Sequence, residues 1–244
     1  MIVALLLGRK ESKGFPGKNT FVVCGHPMAY YPMTAAKECP DVSDVYISTD
    51  DKALMSLAKE NGVKVIARPP ELCTDSALGE DAYVHGYNVI KELNPESKIE
   101  IVILLFCNAV AILPETISEG IRILRVNHEY DSAVTVSRYN MWSPLRARRI
   151  DENGLLQPFV PFEVFGDPKT LNCDRDSQGD AWFADMGVSI VKSRCLENID
   201  KGLLPQKWMG QKIYPLKQWG GLDVDYEWQV PQVEFWLKEQ NRVD

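Results

Sequence analysis

The sequence predicts an α/β fold: a mostly parallel sheet flanked by helices, with an extended arm attached. Three observations carry this. The chain opens on MIVALLL, a short continuous apolar run of the kind buried on both faces of a parallel sheet. Strand-like and helical patterns then alternate up to residue 142, the rhythm of repeated βαβ units. After Ser143 that rhythm stops and a proline- and aromatic-rich stretch, LLQPFVPFEVFGDP, takes over.

In order, the first strand is expected over residues 2–7, a helix over 31–37, and a strand over 45–48. A helix over 52–61 and a strand over 63–66 follow. The next helix starts between Ser76 and Glu80, capped by Asp75 or Ser76, and runs to Leu93 with Ala82, Val89, Ile90 and Leu93 facing inward. Residues 101–105 form the most apolar strand, 114–126 a helix, and 132–136 an alternating strand. Residues 186–191 read as a return strand and 231–240 as a closing helix carrying Val233, Phe235 and Trp236. Three portions result: a nucleotide-binding α/β part over 1–142, an extended arm over 143–180, and the completion of the α/β part over 181–244. The arm is too apolar to remain in water, which points to packing against a second copy and a homodimer.

The 244-residue length suits one large α/β domain with an appendage, and 25% charged with 45% hydrophobic residues is ordinary for a globular chain. A formal net charge of -7 argues against general nucleic-acid binding, which needs a broad basic surface. No apolar run approaches the roughly 18 residues of a membrane span, and the first strand is too short for a secretory signal. A cytoplasmic location is the expectation. The six cysteines have no paired short spacing and read as reduced thiols. The three histidines are mutually distant, so a histidine-based metal centre is not expected.

The loop after the first strand, GRKESKGFPGKN, carries Arg9, Lys10, Lys13 and Lys18 among Gly8, Gly14 and Gly17. Such a loop lies at the sheet's carboxyl edge, where α/β proteins bind ligands. Glycine lets the backbone come close to oxygen atoms, and the cations supply charge. Arg9, Lys13 and Lys18 would neutralise a triphosphate while amides of residues 8–12 bind its oxygens; the alternative is a solvated basic turn. Neither the Walker A spacing nor G-x-G-x-x-G is met. A second constellation is Asp223 and Asp225 in GGLDVDYEW: two carboxylates one residue apart on an extended segment point the same way, as a shared magnesium ion requires. A solvated turn or helix cap is the alternative. In STDD, Asp50 either reaches the nucleotide or metal or, more simply, caps the helix that starts at Lys52. In ARPPEL, Arg68 either contacts base or phosphate or forms a surface ion pair with Glu71.

GRKESKGFPGKN, ISTD, NGVKVIARPPELCTD and LDVDYEW together resemble, in order and spacing, the CMP-sialic acid synthetases (acylneuraminate cytidylyltransferases), relatives of the Kdo cytidylyltransferases. The resemblance spans nearly the whole chain. It implies a Rossmann-like α/β domain, a homodimer made through an extended arm, and transfer of CMP from CTP to an acidic 2-keto sugar with release of pyrophosphate and help from Mg2+. Carried over residue by residue, Arg9 and Lys13 match the residues that hold the CTP phosphates, Lys18 and Asn19 close that motif, and Arg68 matches the arginine near the nucleotide. Asp223 and Asp225 match the magnesium pair. The expected nucleotide contacts are therefore Leu7, Gly8, Arg9, Ser12, Lys13, Lys18, Asn19, Arg68 and Asp75, with Arg9, Lys13, Asp223 and Asp225 catalytic.

The departures concern the acceptor. Where the family reads L-L-Q-P-T-S-P-L-R, this chain reads LLFCNAVAIL, placing Phe106 at the glutamine and Ile112 at the arginine; where the family reads N-G-A, it has Met186, Gly187 and Val188. Asn108, Arg175, Gln178 and Asp185 are the expected acceptor contacts. A different nonulosonic acid, another keto sugar or a non-sugar acid stays open as acceptor, and so does a different base. The expected chemistry is inline attack of the acceptor on the α-phosphorus, driven by positioning and electrostatics, with no evident general base; His85 reads as a packed helix residue. The rival from another class is a nucleotide-binding sensor that has lost acceptor chemistry. The intact cationic loop and acid pair weigh against it.

Overall fold

The computed structural model describes residues 1–174 and 178–242. Its strands and helices run β1 (Ile2–Leu7), β2 (Val22–Val23), β3 (His26–Pro27), α1 (Tyr30–Glu38), β4 (Asp44–Thr49), α2 (Lys52–Glu60), β5 (Lys64–Ala67), α3 (Gly79–Leu93), β6 (Ile101–Phe106), α4 (Pro114–Val126), β7 (Ser132–Arg138), β8 (Arg148–Ile150), β9 (Leu156–Pro158), β10 (Trp182–Lys192), α5 (Ser193–Glu197), β11 (Ile213–Gln218) and α6 (Val230–Glu239). The central sheet has seven strands in the order β11-β7-β10-β6-β1-β4-β5. β10 alone runs against its neighbours; the other pairs are parallel.

All six residues of β1 are buried because the sheet is covered on both sides. Ile2, Ala4 and Leu6 pack with α1, α2 and α4, while Val3, Leu5 and Leu7 pack with α3 and α5. A third cluster joins Val224, Val233 and Trp236 to Phe15 and Val110, so α6 clamps the first loop against the turn after β6. The chain leaves β1 toward β4 and β5 on one side and later returns to place β6 on the other. That reversal opens a crevice at the carboxyl ends of β1 and β6, the usual ligand position in such sheets.

Several expectations shift. α3 begins at Gly79 with Leu78 before it and no side-chain cap, so neither Asp75 nor Ser76 caps it. Its buried face is carried by Ala82 and Ile90, as expected, together with Tyr83 and Tyr87, whereas Leu93 is exposed: the two tyrosines supply the area assigned to Leu93. Asp51, not Asp50, caps α2 by accepting from the Ala53 amide at 2.8 Å. The hairpin β2–β3, the short α5 and the strand β11 were not expected. Residues 143–180 form the small β8–β9 hairpin and short 3-10 turns among the described residues, with Ile150, Leu156, Phe159 and Val164 exposed. No helix among the described residues is long and apolar enough to cross a membrane.

Candidate active site

A cleft of about 460 Å³ opens at the crevice between β1 and β6. Five chain segments meet there: the loop leaving β1, Arg68 just after β5, the approach to α3, the end of β6, and the segment after β11. Of the expected nucleotide contacts, Leu7, Gly8, Arg9, Ser12, Lys13, Lys18, Asn19 and Arg68 line it, as do Asn108, Asp223 and Asp225.

The loop is folded by its own bonds. The Asn19 side-chain amide donates to the Arg9 carbonyl at 3.1 Å, and the Lys10 amide donates to Asp50 Oδ1 at 2.9 Å. The Gly8 amide donates to Ser48 O at 3.2 Å, so the amides of Gly8 and Lys10 are already engaged and are not offered to a ligand. Asp75 stands at the rim, outside the cleft lining, and bridges the loop cations: Lys13 Nζ lies 2.8 Å and Arg9 Nη1 3.1 Å from its carboxylate. The hydrogen bond from Lys13, with the charges of Lys13 and Arg9, holds the Asp75 carboxyl below its ordinary value.

Arg68 is 8% exposed, which rules out the surface pair with Glu71. Its Nε donates to Ser48 Oγ at 3.2 Å and its Nη2 to Ser48 O at 2.6 Å. No carboxylate among the described residues forms an ion pair with it, and burial lowers its ordinary value. A cation in that position is incomplete without an anion.

Across the cleft, Val224 is buried between Asp223 and Asp225, so the alternation of an extended segment aims both carboxylates away from the core. Lys18 Nζ reaches Asp225 Oδ1 at 2.6 Å, tying the basic loop to the acid pair. Burial, and then the charge of Asp225, push the Asp223 carboxyl above its ordinary value, with Lys18 opposing. Two neighbouring carboxylates, in a cleft also lined by Arg9, Lys13, Lys18 and Arg68, are a hard-oxygen donor set that fits Mg2+. Among the described residues no third histidine, cysteine or carboxylate joins them.

The expected acceptor residues are dispersed. Asn108 lines the cleft, but its amide nitrogen donates to Val224 O at 3.0 Å. Asp185 is 5% exposed and does not line the cleft. Its carboxylate accepts from Ser137 Oγ at 2.6 Å, Gln218 Nε2 at 2.9 Å and the Gly187 amide at 3.1 Å, a placement that does not match an acceptor contact. Gln178 is exposed and does not line the cleft, and Arg175 lies outside the described residues. Sequence reasoning passed over the apolar wall formed by Leu72, Ala77, Leu78, Ala82 and Phe106, and the ring of Tyr226 at the mouth. Phe106 is set rigidly by edge contacts with Tyr83 at 5.5 Å and Trp208 at 6.3 Å. Only the departure at Phe106 gave a signal.

A sequence profile described as Cytidylyltransferase matches residues 3–151. The chain belongs to the cytidylyltransferase family. Among its relatives, the CMP-N,N'-diacetyllegionaminic acid synthase of Legionella pneumophila is 30% identical over 172 residues, covering 67% of this chain and 70% of that protein. The N-acylneuraminate cytidylyltransferase of Oncorhynchus mykiss is 26% identical over 231 residues, covering 95% of this chain and 49% of that protein. The chain thus spans about half the length of the fish relative. A solved CMP:2-keto-3-deoxy-manno-octonic acid synthetase complexed with CTP shares the fold, with TM-score 0.66 at 16% identity over 98% of this chain and 99% of that one. The matched profile spans the basic loop and Arg68 but stops before the acid pair. It is the path of the chain, through β11 and the clamp of α6, that brings the pair to the cleft.

Proposed function

We propose that this chain is a magnesium-dependent cytidylyltransferase that transfers CMP from CTP to an acidic 2-keto sugar or a related acid and releases pyrophosphate. The observation that carries the reading is the meeting, in one cleft, of Arg9, Lys13, Lys18 and Arg68 with Asp223 and Asp225. The names of the relatives, N-acylneuraminate cytidylyltransferase and CMP-N,N'-diacetyllegionaminic acid synthase, support the same chemistry.

In this mechanism the buried Arg68 guanidinium binds nucleotide phosphate, which supplies the anion its site lacks. Arg9 and Lys13 exchange the Asp75 carboxylate for phosphate oxygens and stabilise charge that builds on the leaving pyrophosphate. Lys18 moderates the repulsion of the acid pair while holding the loop to it. Asp223 and Asp225 would hold Mg2+, whose positive charge would supply electrostatic neutralisation at the phosphates. No histidine lines the cleft, so the rate comes from alignment of the acceptor oxygen with the α-phosphorus and from preorganised charge. The rigid apolar wall at Phe106, with Asn108 and Asp185 engaged internally, favours an acceptor other than the commonest sialic acid. The arm pairs two copies through its exposed apolar side chains, and the protein works in the cytoplasm.

The test is pyrophosphate release from each of the four nucleoside triphosphates with Mg2+ against a panel of 2-keto sugar acids and simpler acids. Release with CTP and one acid is expected. CTP binding with no release on any acid favours the sensor, and absence of CTP binding overturns the reading.

A further inference from the structure

The acid pair sits in irregular chain, and something must fix its direction. Asp223, Val224 and Asp225 belong to no strand or helix, so no ladder holds them. Val224, with no exposed surface, anchors the segment by its side chain, and the Asp225 amide donates to Gln229 Oε1 at 2.7 Å, but neither holds the peptide plane before Val224 or pairs the Val224 carbonyl. Both main-chain groups of Val224 go to a single residue. Its N–H donates to Asn108 O at 3.0 Å, and its C=O accepts from Asn108 Nδ2 at 3.0 Å.

Asn108 in turn is 5% exposed and sits in the tight turn leaving β6. There the Cys107 amide donates to Leu7 O at 3.0 Å and the Ala109 amide to Phe106 O at 3.1 Å. Asparagine is the residue for this duty: its side-chain amide reproduces the missing half of a β-bridge, so one residue grips both polar groups of the facing peptide. We infer that Asn108 is a positioning residue that orients the carboxylates of Asp223 and Asp225 by locking the Val224 peptide groups to the rigid end of β6. This rests on the proposed metal role of the pair and deepens it. The same side chain lines the cleft and lies within hydrogen-bonding reach of the Asp223 carboxylate, so Asn108 steadies the acid pair directly as well as through Val224.

Removing the amide leaves the Val224 carbonyl buried without its donor, while the N–H bond to Asn108 O persists. The segment stays in place and loses its fixed orientation. Outer partners that orient metal ligands typically change metal affinity about 10- to 100-fold. The experiment measures Mn2+ binding by electron paramagnetic resonance in the presence of CTP, and CTP binding by calorimetry without metal, on the full chain. Asn108→Ala is expected to weaken Mn2+ binding by about tenfold or more, to leave metal-free CTP affinity little changed, and to regain turnover as Mg2+ is raised. Asn108→Ser, whose side chain ends one bond short of the amide nitrogen, is expected to behave alike and serves if the alanine variant does not fold. Asp225→Asn is the reference. If it weakens Mn2+ binding and a folded Asn108 variant does not, this inference is overturned alone. If Asp225→Asn leaves Mn2+ binding unchanged, the metal reading falls and this inference with it.

Discussion

Gly14 offers the most direct test of whether the basic loop and the acid pair form one site. Its backbone φ lies outside the left-handed region, so alanine suits the local conformation and the perturbation is purely steric. A Cβ there would sit 2.6 Å from the Asp225 carbonyl oxygen and 3.3 Å from a Tyr226 ring carbon. The first of these is main chain, which cannot rotate away as a side chain does. Restoring ordinary contact requires loop and acid segment to separate by about 0.8 Å, and displacement of reacting groups on the 1 Å scale costs on the order of 10²-fold. Gly14→Ala is therefore expected to lower kcat for pyrophosphate release by about that factor, while thermal unfolding shifts by no more than the ~1–3 kcal/mol of an overpacked site. Gly17→Ala is the matched control. Gly17 has φ +74 with nothing within 4 Å of its added Cβ, so the substitution costs about 1 kcal/mol of backbone strain without pushing on the acids. If Gly14→Ala turns over within a few-fold of Gly17→Ala, contact between loop and acid segment is not needed for the chemistry, and the reasoning fails.

Other outcomes follow from the same geometry. Lys13→Ala removes an exposed cation that reaches Asp75 and should lower kcat on the order of 10²-fold; unchanged kcat removes Lys13 from the mechanism. Asp185→Asn replaces an acceptor facing three donors with a group that must turn a donor toward them, and should cost about 1–3 kcal/mol in urea unfolding while leaving CTP affinity intact. A raised acceptor KM with unchanged stability would instead restore Asp185 as an acceptor contact. Asp223→Asn should raise Tm at neutral pH as it abolishes metal-dependent turnover. The carboxyl's folded value is raised above 3.8 by burial and by Asp225, so its ionisation opposes folding, and the gain should appear above the folded value and vanish below about pH 3.8. A Tm lowered at neutral pH by this substitution contradicts the assigned burial and repulsion.

The strands that build the sheet's parallel core were legible because burial on both faces leaves an unbroken apolar run, as in β1 and β6, that no surface element imitates. What stayed hidden depended on partners far along the chain or on a one-residue choice. Asp50 and Asp51 are adjacent acids before one helix, and only the path of the chain decides that Asp51 caps α2 while Asp50 takes the Lys10 amide. Asp185 looks like a free carboxylate in the sequence, yet Ser137 and Gln218 reach it from β7 and β11. In the same way Asn108 looks like an acceptor contact until Val224 is seen opposite it.

β11 itself was missed because Pro215 interrupts it, and proline argues against a central strand. The sheet order resolves this: β11 is an edge strand, paired on one side only, where a missing N–H can face away from the ladder. The consequence reaches the site. β11 runs parallel to β7 and in the direction of β1, so the chain leaving it emerges at the same carboxyl edge as the basic loop. Gly220, with φ +66, and Gly221, whose added Cβ would meet Asp185 Oδ2 at 2.2 Å, then turn the chain inward over that edge. The charges of GRKESKGFPGKN and LDVDYEW indicate that the two motifs belong together. It is an edge strand built around a proline, followed by two glycines beside a buried carboxylate, that carries one to the other.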